Sequence, residues 1–332
     1  MGYETMEAGR RAVLAGLLFA ATQSGQANPI TGSTQATPPR SDVTTTTPPA
    51  PASVPAQAVP VATTQPPADA TAQPAGAAAT PSLEAPPYKR FAVAPPNHDG
   101  KPIICIVIDD LGVMMRGTER AVALPAPMTL SWFPFARNLP TQINEAMARG
   151  HETTLHMPMQ SFSNSTYQTG PDPLRIDLPP DVNLERLRAA MDAVPNAVGL
   201  NNHMGSVATR DAVLMALVAQ EAKARGMMFL DSLTIGGSQG WRQAAAAGVP
   251  SDARDIFIDN SPKPEMIKQA LLDIEAFSRR HGHVIAIGHP RPHTLDALEE
   301  WMPTLAEKGF VLWPLAATIE MRAQLQVKTA HV

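Results

Sequence analysis

The chain has 332 residues, a formal net charge of −4 and a single cysteine. That length suits one large domain or two ordinary ones, and a pI near 6.1 with no basic run argues against a nucleic-acid partner. One cysteine excludes an internal disulfide, so any metal site must be built from imidazole and carboxylate.

Residues 1–27 read as an export signal. Arg10-Arg11 precede the apolar run Ala12–Ala21, and the small residues of Gly25-Gln26-Ala27 follow. The run is about half of what a bilayer needs, so no permanent membrane span is expected. The paired arginines fit the twin-arginine route as well as general secretion. From 28 to 100 the chain is rich in Pro, Ala and Thr and poor in large apolar residues, which predicts a disordered linker. An exported protein of the periplasm or cell envelope is the expectation.

The folded domain is expected over 101–322, with a short tail over 323–332. Strand candidates are Ile103–Ile108, Met128–Phe133, Thr153–Met157, Ala197–Leu200, Met227–Leu230, Asp255–Ile258, Val284–Ile287 and Phe310–Leu312. Amphipathic stretches lie between most of them: Leu139–Ala148, Leu184–Val194, Ala212–Arg225, Pro264–Arg280 and Thr294–Lys308. Strand alternating with helix implies parallel strands joined by helical crossovers. The fold class is α/β, a distorted (β/α) barrel of seven or eight strands, with an open doubly wound sheet as the runner-up.

In such folds the reactive groups collect where strands end. The first strand, six apolar residues over Ile103–Ile108, runs straight into Asp109 and Asp110. Neighbouring carboxylates there call for a cation or a shared proton, although a helix N-cap is a plainer use of an Asp. His156 ends the third strand, Asn201-Asn202-His203 follows the fourth, Asp231-Ser232 the fifth, and His289 the seventh. Asp259, with Asn260-Ser261-Pro262 behind it, reads as ordinary helix capping.

Ile108-Asp109-Asp110 resembles the motif that opens NodB-type polysaccharide deacetylases. Gly150-His151-Glu152 followed by His156 is similar to their second motif, and Gly288-His289 to the late one that supplies a catalytic histidine. Leu155–Met159, Asn201–Ser206 and Leu230-Asp231-Ser232 match the divergent polysaccharide deacetylases. The resemblance runs from about Pro102 to Ala317. It departs from the ordinary family at Gln160, where a second metal-binding histidine would stand four residues after His156, and in lacking the Arg-Pro-Tyr segment.

The resemblance implies metal ligation by Asp110 and His156; because the chain departs from it at Gln160, His203 is expected to move in from the next strand end for the lost ligand. It implies Asp109 as general base and His289 as general acid. Asp231 is expected to orient His289 or hold it charged, and Asn202 to position substrate. One carboxylate and two imidazoles favour Zn²⁺, with Fe²⁺, Co²⁺ and Ni²⁺ compatible. The expected activity is hydrolysis of acetyl groups on a cell-envelope polysaccharide, an acetamide before an ester. The alternative is a non-catalytic glycan-binding or envelope-assembly protein on the same scaffold.

Overall fold

The computed structural model describes residues 85–163 and 169–330. The export signal and the linker up to 84 lie outside the described residues. Packed chain begins ahead of Lys101: helix α1 (Pro87–Arg90) has Tyr88 N donating to Gly226 O at 3.1 Å, and Val93 N donates to Glu152 Oε1 at 3.3 Å. Residues 85–100 therefore belong to the folded unit rather than to the stretch read as linker.

The elements then alternate. They are β1 (Ile103–Leu111), α2 (Met115–Ala123), β2 (Thr129–Trp132), α3 (Leu139–Ala148), β3 (Glu152–Met159), α4 (Pro180–Ala193), β4 (Gly199–Met204) and α5 (Ala212–Ala224). They continue with β5 (Met228–Asp231), α6 (Gly240–Ala246), β6 (Ser251–Ala253), β7 (Ile256–Phe257), α7 (Pro264–His281), β8 (His283–Gly288), α8 (Pro292–Trp301), β9 (Val311–Leu312) and α9 (Leu315–Ala330). The expected tail from 323 is instead the continuation of α9.

All strand pairings are parallel, in the order β6-β5-β4-β3-β2-β1-β8-β7, with β9 beside β1. The two ends of this path meet in one stretch of chain. Arg254 N donates to Asp231 O at 3.0 Å, and the next residue, Asp255, donates its N–H to Ile285 O at 2.9 Å. The strand changes partner within two residues and so bridges both edges of a curled sheet. This is the distorted (β/α) barrel expected. Ser251–Ala253 escaped the sequence reading because three residues with two polar side chains carry no strand signal.

Period-two alternation sorts the side chains. Ile104, Ile106 and Ile108 of β1 face outward and pack with Leu155, Met157, Leu200 and Phe229 under the helices. Cys105 and Val107 face the barrel interior with Leu230, Ile285 and Ile287. The start of α9 plugs the interior from the N-terminal end of the strands. Leu315, Ala316 and Ile319 join the inner core, and Ala316 N donates to Glu152 Oε2 at 3.0 Å. The opposite end, where the strands finish, is left for polar groups.

Candidate metal centre

On β1 the alternation breaks. Asp109 follows outward-facing Ile108 and so points inward, and a regular strand would turn Asp110 away. The β1–β2 register shifts between Ile108 and Leu111, and Asp110 takes φ +62°. This bulge swings both neighbouring carboxylates into one site, a common use of bulges beside reactive groups. Gly112, at φ +96°, completes the turn; a Cβ there would collide with Ala136.

His156 on β3 and His203 on β4 both face inward. Oδ1 of Asp110 lies 3.1 Å from Nε2 of His156 and 3.1 Å from Nδ1 of His203, and the two ring nitrogens are 3.2 Å apart. Three lone-pair atoms thus form a near-equilateral triangle. Asp110 Oδ1 is buried and lacks a well-aligned hydrogen-bond donor. Ligand atoms on a tetrahedral ion with bonds of about 2.0–2.1 Å stand about 3.3 Å apart, so the donor set fits a divalent metal. Among the described residues this is the one group of three such donors that converges.

The local field favours positive charge. Burial opposes ionisation of Asp110, but the facing rings of His156 and His203 outweigh it and hold the carboxyl well below its usual range. Burial likewise opposes charge on His156, yet Asp109 and Asp110 raise it to about 8. A site that draws protons onto buried imidazole also welcomes a cation.

Asn201 holds the centre together, and its role was missed. It is fully buried. Its Oδ1 accepts from Ser131 Oγ at 2.6 Å and pairs with His156 Nδ1 at 2.8 Å; its Nδ2 donates to Asp109 Oδ1 at 2.7 Å and Ser232 Oγ at 3.2 Å. Pairing Nδ1 with an amide oxygen places the proton there and leaves Nε2 free for a metal. Asp109 itself lies toward the Nδ1 side of His156, with Oδ2 at 3.7 Å. Phe133 walls the site, its ring centroid 4.7 Å from that of His203 and 5.3 Å from that of His156.

Two expected residues are placed elsewhere. Asn202 turns outward, one residue out of phase with Asn201, and is fully buried. It donates to Met204 O at 2.9 Å and accepts from Ser232 N at 2.9 Å, so this buried amide ties strand ends together rather than facing the site. Asp231 also faces outward. It accepts from Ser238 Oγ at 2.6 Å, Leu233 N at 2.9 Å and Trp241 N at 3.2 Å, tying down the turn into α6. It does not orient His289.

That task falls to Asp259, which was read as a helix cap. Phe257 faces the inner core and Ile258 the outer one, so Asp259 points inward. Its Oδ1 lies 2.8 Å from His289 Nδ1, and its Oδ2 accepts from His289 N and Thr294 Oγ1. Burial works against charge on His289, but Asp259 and Asp110 raise its affinity for a proton. Its other nitrogen, Nε2, stands 3.9 Å from Asp110 Oδ2.

Gln160, where the ordinary family has its second histidine, brackets loops instead. Its side chain accepts from Ile176 N at 2.9 Å, and its carbonyl accepts from Val207 N and Ala208 N at 3.1 Å. The third donor atom of the triangle comes instead from the neighbouring strand, since Pro158 pairs with His203 in the β3–β4 register.

The sequence profile of the divergent polysaccharide deacetylases matches residues 106–319. An uncharacterized protein of Haemophilus influenzae is 34% identical over 204 residues, covering 61% of this chain and 72% of that one. The uncharacterized protein YibQ of Escherichia coli K12 is 33% identical over 215 residues, 65% of this chain and 66% of its own. The crystal structure of uncharacterized protein ATU2773 from Agrobacterium tumefaciens superposes with a TM-score of 0.67 at 25% identity, covering 70% of this chain and 95% of that one. The chain belongs to the divergent polysaccharide deacetylase family.

Proposed function

We propose that the domain is a metal-dependent hydrolase removing acetyl groups, acetamide before ester, from a polysaccharide of the cell envelope. One observation carries this reading: three ligand atoms converge at the open end of the barrel, between a buried carboxylate and a carboxylate-paired imidazole. Asp110, His156 and His203 would hold a divalent ion, best matched by Zn²⁺, which would supply Lewis-acid polarisation of the acetyl carbonyl and acidify an attacking water.

The chain's own groups then move the protons. Asp109 takes one from the water as general base through Oδ2, its Oδ1 being held by Asn201. His289 gives one from Nε2 to the leaving amine as general acid. Asp259 on Nδ1 fixes its tautomer and favours its charged form. Acetate and a free amine result. Access to an envelope glycan requires export, which residues 1–27 would supply; cell fractionation tests it.

The test is acetate release from chitooligosaccharide and from peptidoglycan by the purified full chain, with metal content measured on the same sample. Activity that a chelator abolishes and a divalent metal restores is expected, and the freed group tells amine from alcohol. A stoichiometric metal with no acetate released from either substrate overturns the hydrolase in favour of a glycan-binding scaffold.

A further inference from the structure

A guanidinium lines the inner wall of the site between the groups assigned as base and acid. Ala253 is registered with outward-facing Asp231 of β5, so Arg254, one residue on, turns inward beside Ser232. Its Nε donates to Ser232 O at 2.9 Å and its Nη2 to Leu233 O at 3.0 Å. On one side, Ser232 Oγ accepts from Asn201, which also holds Asp109. On the other, the guanidinium lies 4.6 Å over the Phe257 ring, whose centroid is 5.3 Å from that of His289.

The two carbonyls occupy two of the five N–H donors of Arg254. Nη1 has no acceptor among the described residues and is not shut off from solvent. The acids that act on Arg254 are Asp231, Asp255 and Asp109, and all three do so through space, without a hydrogen bond. Each is engaged elsewhere: Asp231 by Ser238 and Leu233, Asp255 by Arg322, Asp109 by Asn201. Asp110 and Asp259, the other acids of the mouth, face His156, His203 and His289. Burial lowers the hold of Arg254 on its proton to about 10, so it stays charged near neutral pH. Arg291, the other cation beside His289, differs in donating to Asp259 O at 2.9 Å and lying 3.9 Å from Asp259 Oδ2. Holding a charge out of water without an ion partner is costly, and a neutral donor would serve two carbonyls equally well. A planar fork with spare donors matches a carboxylate.

We propose that Arg254 reads a carboxylate on the glycan, so that the substrate is an acidic polysaccharide with its charge on or beside the acetylated sugar. Phe257 joins Arg254 to His289, where the acetamide nitrogen takes its proton, and the carboxylate is recognised on that side of the reacting group. Peptide-free peptidoglycan strands carry such a charge, a lactyl carboxylate on the carbon next to an acetamide. The inference rests on the hydrolytic reading of the site and narrows its substrate class, but its readout is binding rather than turnover.

The probes are peptide-free peptidoglycan strands with free lactyl carboxylates and the same strands methyl-esterified. Binding is measured by titration calorimetry on the full chain carrying Asp109→Asn, so that turnover does not consume the ligand. The free acid should bind about tenfold or more tighter than the ester, the scale of a charge-assisted hydrogen bond. Arg254→Gln in the same background should bring the two affinities together. Where that variant does not fold, Arg254→Lys, which keeps the charge and loses the fork, should cut the preference severalfold, and an unchanged preference there overturns the proposal. Equal affinity for acid and ester before Arg254 is altered overturns it with no further variant, as does binding of neither. A preference that survives Arg254→Gln also overturns it and passes the carboxylate to Arg291 or to the metal centre. Acetate release by the wild-type chain is scored separately. Release without the preference keeps the hydrolase and overturns this inference, whereas the preference without release keeps the role of Arg254 and overturns the hydrolase.

Discussion

His289 and Asp259 form a buried pair, with Nδ1 2.8 Å from Oδ1, whereas the carboxylate of Asp231 is fully engaged by Ser238, Leu233 and Trp241. Asp259→Asn should lower turnover by about 10²-fold or more, the scale of an impaired general acid. It should also move the alkaline limb of the rate profile to lower pH, because the imidazolium loses its counter-charge. Asp231→Asn should leave turnover unchanged and lower stability by about 1 kcal/mol, as for a lost cap. Rate profiles and denaturant melts of the two variants separate the roles.

Metal retention tests the triangle. Wild-type protein should hold one divalent ion per chain by elemental analysis. Asp110→Ala, His156→Ala or His203→Ala should each strip it, and Gln160→Ala should keep it, because Gln160 brackets loops rather than ligating. Full occupancy in His203→Ala would exclude the replacement of the missing histidine by a neighbouring strand.

Asp109 and Asn201 act at the same centre in different ways. Asp109→Asn should keep the metal while turnover falls about 10²–10⁴-fold, the range for a lost general base. Loss of the metal instead would reduce Asp109 to a support for His156. Asn201→Leu removes the partner of His156 Nδ1 and of Asp109 together. Metal affinity should then fall about 10–100-fold, as for other residues that orient a ligand.

Glu152 predicts an unusual pH dependence of stability. Burial raises its carboxyl from 4.5 to about 7, against the lowering effect of N–H donors such as Ala316 and Val93. The folded state therefore holds this proton more tightly than the unfolded one. Its contribution is fully present below about pH 4.5 and is lost as pH rises through about 7, a change on the order of 3 kcal/mol. Glu152→Gln should flatten that slope in denaturant melts between those pH values. An unchanged slope would place the titration elsewhere.

The positions of most strands, and the polar residues that end them, were legible in the sequence. Runs such as Ile103–Ile108 are long, β-branched and apolar enough to fix a buried strand without help from neighbours. The family motifs likewise brought Asp109, Asp110, His156, His203 and His289 forward from local residues alone. Which neighbour of each polar pair looks into the barrel was decided by the tertiary structure. Asn201 rather than Asn202 faces in, Ser232 rather than Asp231, and Asp259 lies under His289 instead of capping a helix. Side chains on a strand alternate, so a shift of one residue reverses every assignment, and that phase is set by the adjoining strands and by the bulge at Asp110.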